Sequence, residues 1–471
     1  MIRALVLVLL VLMPVPATAQ RETATQLLDR SIARMGGDSA LRSVRTLRLD
    51  VLTQWLRTTF AERPFADLPS YERNVELRDY GTASWRNTRY FSPTAPTPGV
   101  VDVVRDTVAA RLMPRAQGAA PTWGPLNVAY VDERRELFAF APERLVLALR
   151  ADPAVRTLAD TTLDGVTHAR LAATVDGWPA VVHFRRDDAL PTMVRFRADE
   201  TNDFGLAPWG EHEVEFWYSG WFRHASGVVL PRQRDVQRVG RPYKRMTLLA
   251  TSVNAEAPAD SFAVSDSVAT AFLASERRPM WRMDLEGVAR LEREGMVTFP
   301  PMVGSFGAVL VGGRWLVLES GQAVGAMELA AAWLGRHGGG APVGGAVATN
   351  PGTGNGGAPW FVSRRLPLFG APGAMATLVK VTGSRAGITA IATPRWVRFG
   401  TDSLWMEPLN VPDMQGTMAV YSPTLRWLWM PFTGSPLHAP EQAAVIAGLE
   451  RRGLPVAWLG GPRGTVARPS P

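Results

Sequence analysis

The residues of this chain best suited to metal or acid–base chemistry are six histidines, and no cysteine accompanies them. The histidines are His168, His183, His212, His224, His337 and His438. None is spaced from another as H-x-H or H-x-x-x-H, the spacings that place two imidazoles on one metal. The absence of cysteine excludes disulfides, thiolate nucleophiles and cysteine-bound zinc. We therefore expect these histidines to be surface or strand residues rather than ligands.

Serine and carboxylate chemistry also lacks a clear sequence signal. There is no G-x-S-x-G nucleophile motif. His438, Asp413 and either Ser422 or Ser435 contain the groups of a triad, but only the fold brings such groups together. The acidic residues among 211–215 alternate along a strand and share one face, which predicts a solvated face rather than a metal site.

Two glycine-rich stretches, residues 335–345 and 350–357, have the composition of a phosphate-binding loop. Such a loop requires lysine after its second glycine, and no lysine lies near either stretch. We therefore predict no phosphate site. The second stretch directly follows an apolar, strand-like segment at residues 343–347.

The elements that position these residues fall into two regions. In the first, Leu27, Leu28 and Ile32 share one face of a helix over residues 22–35, which Gly36 and Gly37 end. The strand-like segments of this region are 46–51, 181–185, 193–197, 213–218, 228–231 and 243–253, with an internal helix at 142–149. The pattern predicts an α+β region around an antiparallel sheet, in which Pro231 ends a strand.

The second region alternates strands and helices, which indicates layered α/β packing. Its predicted elements are a hairpin at 305–311 and 315–319 turning at Gly312-Gly313, a helix at 326–334, a strand at 343–348, a closing helix at 440–452 and a last strand at 456–459. We predict four segments along the chain: a signal peptide at 1–19, a first domain at 22–262, a linker at 263–279 and a second domain at 280–466.

The N-terminal segment and the net charge limit where the protein can be located and what it can bind. Arg3, an apolar run at 4–15, and Ala17 and Ala19 form a secretory signal, and the run is too short to span a bilayer. The formal net charge is +8, but the basic residues are spread among acids without a basic run. We expect an exported protein, periplasmic or secreted, with no nucleic-acid partner and no transmembrane segment beyond the signal peptide.

The first region resembles the domain found upstream of secreted metallo-β-lactamase-like proteins. The resemblance lies in the helix ending at residues 35–38, followed by Leu41 and a strand, and in the runs 217–218 and 227–231. The latter runs are also similar to the open antiparallel half-barrel of periplasmic lipoprotein carriers. The resemblance implies a half-barrel-like α+β domain.

The second region resembles the αββα sandwich of metallo-β-lactamase-fold hydrolases. Glu319 stands at the acidic position that ends the second strand, and the zinc motif T-H-x-H-x-D-H would begin at Thr349. The positions at which the resemblance places the zinc ligands are Asn350, Gly352, Gly354, Asn355, Asp413 and Arg463. Glycine has no side chain and asparagine is a weak, neutral ligand, whereas hydrolytic zinc requires about three protein ligands. The resemblance therefore implies no catalytic residue, no metal and no cofactor.

Aromatic residues of the first region leave two alternatives open, core packing or an apolar ligand groove. The candidates are Trp178, Phe216, Trp217, Tyr218, Trp221 and Phe222.

Together these patterns favour a non-catalytic metallo-β-lactamase-like protein, a pseudoenzyme, with a binding or structural role in the cell envelope. Its partner would be an apolar ligand, a peptide or an envelope protein. Two alternatives remain, a hydrolase with relocated metal or non-metal chemistry and a carrier of lipid or lipoprotein.

Overall fold

The structure is a computed structural model that describes most of the chain. The described ranges are 22–57, 68–113, 120–126, 129–200, 210–238, 240–274, 285–286, 289–293, 295–299, 306–321, 324–350, 355–411, 416–462 and 464–468. The predicted signal peptide lies outside these ranges. No described helix is both long and apolar enough to span a membrane.

The first region is a thirteen-stranded sheet in which every strand pair is antiparallel, as predicted. Its strands are β1 (Thr46–Arg57), β2 (Leu68–Asp79), β3 (Ser84–Tyr90), β4 (Val100–Arg105), β5 (Val108–Met113), β6 (Thr122–Pro125), β7 (Arg156–Leu163), β8 (Val166–Val175), β9 (Trp178–Arg185), β10 (Pro191–Glu200), β11 (Gly210–Arg223), β12 (Val229–Arg238) and β13 (Arg241–Val253). Two meanders, β1–β6 and β7–β13, join where β1 pairs with β13.

Four helices accompany the first meander and the connection to the second. They are α1 (Ala24–Arg34), α2 (Asp38–Ser43), α3 (Ala129–Ala139) and α4 (Pro142–Ala151). The predicted face of α1 is confirmed, since Leu27, Leu28 and Ile32 are buried, and Pro142 occupies the first turn of α4. The face of the sheet that packs against α3 and α4 is called the inner face below.

One strand boundary was predicted wrongly, because Pro231 lies inside β12 rather than at its end. Proline lacks the N–H that a ladder needs. Pro231 pairs with Trp221 on β11, whereas pairing of β12 with β13 begins only at Gln233. The proline therefore sits where the strand has a neighbour on one side only, a position that proline tolerates.

The second region contains a seven-stranded and a six-stranded sheet. The first holds β14 (Arg290–Arg293), β15 (Met296–Thr298), β16 (Gly307–Val311), β17 (Arg314–Leu318), β18 (Val343–Ala348), β19 (Leu368–Gly370) and β20 (Ile388–Ala390). The second holds β21 (Arg395–Phe399), β22 (Asp402–Pro408), β23 (Met418–Ser422), β24 (Trp427–Trp429), β25 (Trp458–Gly461) and β26 (Gly464–Ala467). The last strand was thus missed: the predicted strand at 456–459 corresponds to β25, and β26 follows it.

Buried side chains show that the two sheets, with helices on their outer sides, form four layers. The helices of this part of the chain are α5 (Asp266–Ala274), α6 (Val324–His337), α7 (Ala358–Ser363), α8 (Met375–Thr382) and α9 (Ala439–Arg451), with 3-10 turns at Ala259–Phe262, Pro372–Ala374 and Pro436–His438. One core cluster joins α6–α8 to the seven-stranded sheet, one lies between the two sheets, and one joins the six-stranded sheet to α9. The layer order α/β/β/α agrees with the predicted sandwich.

The predicted linker at 263–279 contains helix α5. Phe272 of this helix is 1% exposed and belongs to the core of the first region. The division of the chain at 263–279 stays a prediction.

Candidate functional site

The predicted metal loop lies where two parallel strands of the sandwich end. Glu319 directly follows β17, and Thr349 and Asn350 follow β18. The backbone N–H of Glu319 donates to the carbonyl of Val347 at 2.8 Å, and that of Met418 donates to Thr349 at 2.9 Å. The loop is therefore positioned by both sheets, as a site at the carboxyl edge of a parallel pair should be.

Glu319 holds an uncommon backbone conformation, with φ of 65°. Left-handed backbone is unfavourable for a residue with a Cβ and occurs at sites that the surrounding structure determines strongly. Here it turns the chain out of β17 and leaves the carboxyl group 3% exposed.

A chain of hydrogen bonds reaches one oxygen of this carboxyl group, Oε1, whereas Oε2 is buried without a hydrogen-bond partner among the described residues. The hydroxyl of Thr349 donates to Glu319 Oε1 and accepts from the indole Nε1 of Trp429 at 3.1 Å. Burial raises the pKa of Glu319 to about 8, against the opposing effect of hydrogen bonds from Thr349 and Asn350. At neutral pH the group is therefore a protonated, internally bonded acid rather than an anion.

The two asparagines of the predicted metal loop are bonded to each other. Asn355 is fully buried, and its Nδ2 donates to the backbone carbonyl of Asn350 at 3.0 Å. Gly357, two residues on, permits the loop to approach the first sheet, because a Cβ at this position would collide with the carbonyl oxygen of Ser320. The loop is thus packed against the end of β17.

The two described positions of the predicted zinc site, Asn350 and Asn355, offer only neutral amide groups. Asn355 directs an N–H donor into its own loop, and Glu319 is protonated and bound to Thr349. A ligand set for hydrolytic zinc consists of deprotonated carboxylates and imidazoles with a lone pair free for the metal. Within the described ranges, no three Asp, Glu or His side chains come together in a way that could hold a metal ion.

Four of the six predicted positions fall outside the described residues. These are Gly352, Gly354, Asp413 and Arg463. Asn350 and Asn355 lie close together in one loop, and all six positions stay predictions.

Four histidines have described side-chain partners away from this loop. His168 bonds to the Val166 carbonyl and to Thr192, and His224 bonds to Ser226. His337 bonds to Glu286 at 2.6 Å, and His438 bonds to Ser435 at 3.0 Å.

The fifth described imidazole, His183, is 2% exposed in β9. Burial lowers the pKa of His183 to about 4, so this imidazole is neutral at pH 7.

The described groups that could form a triad lie on different elements. His438 bonds to Ser435 inside one 3-10 turn, whereas Ser422 is buried on β23 and Asp413 is not described. Adjacent turn residues that bond to each other are typical of local turn geometry, so the His438–Ser435 bond gives no support for a triad.

Of the aromatic candidates of the first region, Phe216 and Tyr218 are core residues. Phe216 and Tyr218 are 1% and 3% exposed, and Phe216 packs against Phe140 and Phe196. Trp217 points to the opposite face and donates to Glu215 at 3.0 Å. This alternation follows the strand period of two and favours core packing over a groove at these positions.

Sequence reasoning missed a pocket on the inner face, where α4 crosses the sheet. It has a volume of about 60 Å³ and an apolar wall with five charged side chains. The charged side chains are Glu76, Arg78, Glu143, Arg232 and Arg234. Alternating charges in β2 and β12 were the only available signal, and they resemble an ordinary solvated strand face.

Ion pairs account for part of this charge. Arg78 and Glu76, both 3% exposed, pair at 2.6 Å, and Trp85 lies beside the same carboxylate. Glu143 accepts from the hydroxyl of Tyr80 at 2.5 Å. These bonds pair the charged groups of β2 and α4 in this pocket, beside its apolar wall.

Comparison with known proteins gives likeness in structure only. No protein-family model matches the chain, and no curated protein matches its sequence. A domain named as an outer membrane lipoprotein-sorting protein from Vibrio parahaemolyticus is similar at 10% identity and a TM-score of 0.30, over 50% of this chain and 95% of that one.

Two metallo-β-lactamases are similar to the chain as well. The enzyme from Erythrobacter litoralis has 15% identity and a TM-score of 0.28, over 36% of this chain and 86% of that one. The enzyme from Pontibacter korlensis has 13% identity and a TM-score of 0.27, over 35% of this chain and 78% of that one. The layer order and strand pairing described above come from this chain's own hydrogen bonds and cores, independently of these likenesses.

Proposed function

We propose that this chain is an exported, non-catalytic binding protein of the cell envelope. Its second region would be a metallo-β-lactamase-like sandwich without zinc chemistry, and its first a half-barrel-like domain that carries the binding role. The residue types at the predicted ligand positions are the main support, because Asn350 and Asn355 offer only neutral amide groups there, and Asn355 Nδ2 donates to the Asn350 carbonyl at 3.0 Å.

The state of Glu319 adds to this proposal. A carboxyl group that serves as a metal ligand or general base at neutral pH must be ionised. Burial instead raises the pKa of Glu319 to about 8, and its Oε1 accepts from Thr349, which in turn accepts from Trp429. A relocated hydrolytic centre would require several carboxylates or imidazoles near Asn355, and the described residues there contain no such group of three.

The lipid-carrier alternative is less well supported by the inner face. Carriers of acyl chains need a continuous apolar lining, because lipid tails offer no partner for polar groups. On β2 the buried side chains of the inner face are instead all polar or charged. They are Glu72, Asn74, Glu76 and Arg78.

Zinc content after metal exposure and desalting tests the proposal. We expect near-zero zinc in the wild-type mature chain and no hydrolysis of a chromogenic β-lactam. The matched control carries Asn350→His, Gly352→His, Gly354→Asp and Asn355→His, and we expect it to retain zinc that the wild type does not. Retention of about one or two zinc ions by the wild type, the number held by active centres of this kind, would overturn the proposal.

A further inference from the structure

The pocket on the inner face lies between α4 and four strands, β1, β2, β12 and β13. At about 60 Å³ it has room for roughly four to six water-sized groups, since each needs about 10–15 Å³. That is the size of a small organic molecule, and it is far less than a lipid tail requires.

Arg234 on β12 is a buried cation that makes no direct ion pair with any residue in the described ranges, although Glu143 and Glu76 attract it from farther away. The residue is 9% exposed, and its Nη1 has no hydrogen-bond partner among the residues that the structure describes. The rings of Phe216 and Tyr218 lie 5.6 and 5.7 Å from its guanidinium carbon. Burial lowers the pKa of Arg234, which is the signature of a charge taken out of water at a cost.

The neighbouring carboxylates do not neutralise this cation by direct contact. Glu76 is bonded to Arg78, and Glu143 to Tyr80. Three guanidinium groups and two carboxylates line the pocket, so the wall carries an excess positive charge. Arg234 Nη1 is itself closed to solvent, so an anionic ligand in the pocket would offset the charge of the Arg234 guanidinium through its other atoms.

The remainder of the pocket is apolar. Its apolar lining residues are Leu47, Leu49, Val51, Pro142, Leu230, Pro231, Met246 and Leu248. A guanidinium beside a short aliphatic wall matches a ligand with a carboxylate at one end and a few methylene groups at the other.

We propose that this pocket binds a small organic carboxylate, with Arg234 holding the carboxylate and the aliphatic wall holding a short tail. The inference rests on the binding role proposed above and names its ligand class. Arginine is suited to this task because its planar fork donates two parallel hydrogen bonds to one carboxylate.

Titration of the full mature chain with a matched set of probes tests the proposal. The carboxylates are acetate and butyrate, the tail controls are n-butanol and n-butylamine, and inorganic phosphate is the alternative anion. We expect Kd to fall about fourfold for each added methylene, as burial of one such group predicts. We also expect butyrate to bind at least tenfold more tightly than n-butanol, with no measurable binding of n-butylamine.

Substitution of the anchor separates a ligand-binding role from a structural one. Arg234→Met should weaken butyrate binding at least tenfold while leaving Tm unchanged or raised, because it removes a buried charge that makes no direct ion pair in the described ranges. Arg234→Lys should retain part of the affinity. Arg42→Met, at an exposed arginine of α2, is the control and should bind butyrate as the wild type does.

Three outcomes would overturn the inference: equal wild-type affinity for butyrate and n-butanol, unchanged butyrate affinity in Arg234→Met, or tighter binding of phosphate than of butyrate. A lower Tm in Arg234→Met without loss of binding would assign the residue a structural role. None of these outcomes affects zinc content, so failure here is distinguishable from failure of the non-catalytic proposal.

Discussion

The two regions of the molecule treat buried charge in opposite ways. In the sandwich, Glu319 is protonated and enclosed by Thr349 and Trp429. On the inner face of the first region, Arg234 has a buried nitrogen with no partner in the described structure. A carboxyl group can become neutral when it is buried, whereas arginine keeps its charge at any pH that a protein meets.

This difference concerns which region keeps a buried, charged side chain that a ligand could neutralise. In the described part of the predicted metal loop, Thr349 bonds to Glu319 Oε1 and Asn355 Nδ2 to the Asn350 carbonyl, and the buried Glu319 carboxyl group is neutral at pH 7. The inner face carries both a satisfied pair, Glu76–Arg78, and the unsatisfied Arg234 within one pocket. Resemblance to an enzyme family directs attention to the sandwich, but the physical chemistry favours the other region as the binding site.

The largest expected effect on stability comes from loss of the buried ion pair between Glu76 and Arg78. Arg78→Met leaves Glu76 as an uncompensated buried carboxylate and should lower the free energy of unfolding by about 3–5 kcal/mol, measured by urea denaturation. The exposed pair Arg42–Asp38 is the control, and Arg42→Met should cost about 0.5 kcal/mol or less. If Arg78→Met and Arg234→Met destabilise the protein equally, the contrast drawn between the two arginines is wrong.

A pH series tests the neutral state of Glu319. The pKa of this carboxyl group is about 8 in the folded protein and ordinarily 4.5, so between these pH values the folded state holds a proton that the unfolded chain has lost. Its stabilising contribution is complete below pH 4.5 and is lost as pH rises through 8. Glu319→Gln mimics the protonated form and does not titrate. The Tm of this variant minus that of wild type should therefore increase by several degrees as pH rises from 5 to 8.

Glu136 supplies the internal comparison for that series. Burial raises the pKa of this first-region carboxyl group to about 7, so Glu136 gives stability the same sign of pH dependence as Glu319. Wild type and Glu319→Gln both contain Glu136, so its contribution cancels in the Tm difference between them. A Tm difference between Glu319→Gln and wild type that stays constant across pH would show that Glu319 is ionised in the folded protein.

The smallest of the three effects concerns the hydroxyl group of Thr349. Thr349→Val keeps the shape of the side chain but leaves Glu319 and the indole of Trp429 without their shared partner. We expect destabilisation of about 1–3 kcal/mol in urea denaturation, the usual cost of unsatisfied buried polar groups. Ser226→Ala, at an exposed hydroxyl bonded to His224, should change stability by less than about 0.5 kcal/mol. Similar losses of stability in Thr349→Val and Ser226→Ala would contradict the hydrogen bonds that Thr349 makes with Glu319 and Trp429.

Local patterns predicted much of the fold. The helical face of Leu27, Leu28 and Ile32 and the strand at 213–218 depend on residues a few positions apart, and the structure confirms both. The strand break at Pro231 was predicted wrongly, because the cost of proline depends on which neighbouring strand is paired there. That pairing is a property of the sheet rather than of the local sequence.

The sequence by itself determined which groups are available: no cysteine, scattered histidines, and asparagine or glycine in place of the expected zinc ligands of the loop after β18. Only the tertiary structure decided which charged groups lose their water. Arg232 and Arg234 lie two residues apart on β12, yet Arg232 is exposed and Arg234 is buried beneath α4, about ninety residues away in sequence. Desolvation depends on distant segments packing together, and that packing turns an ordinary arginine into a candidate anion anchor.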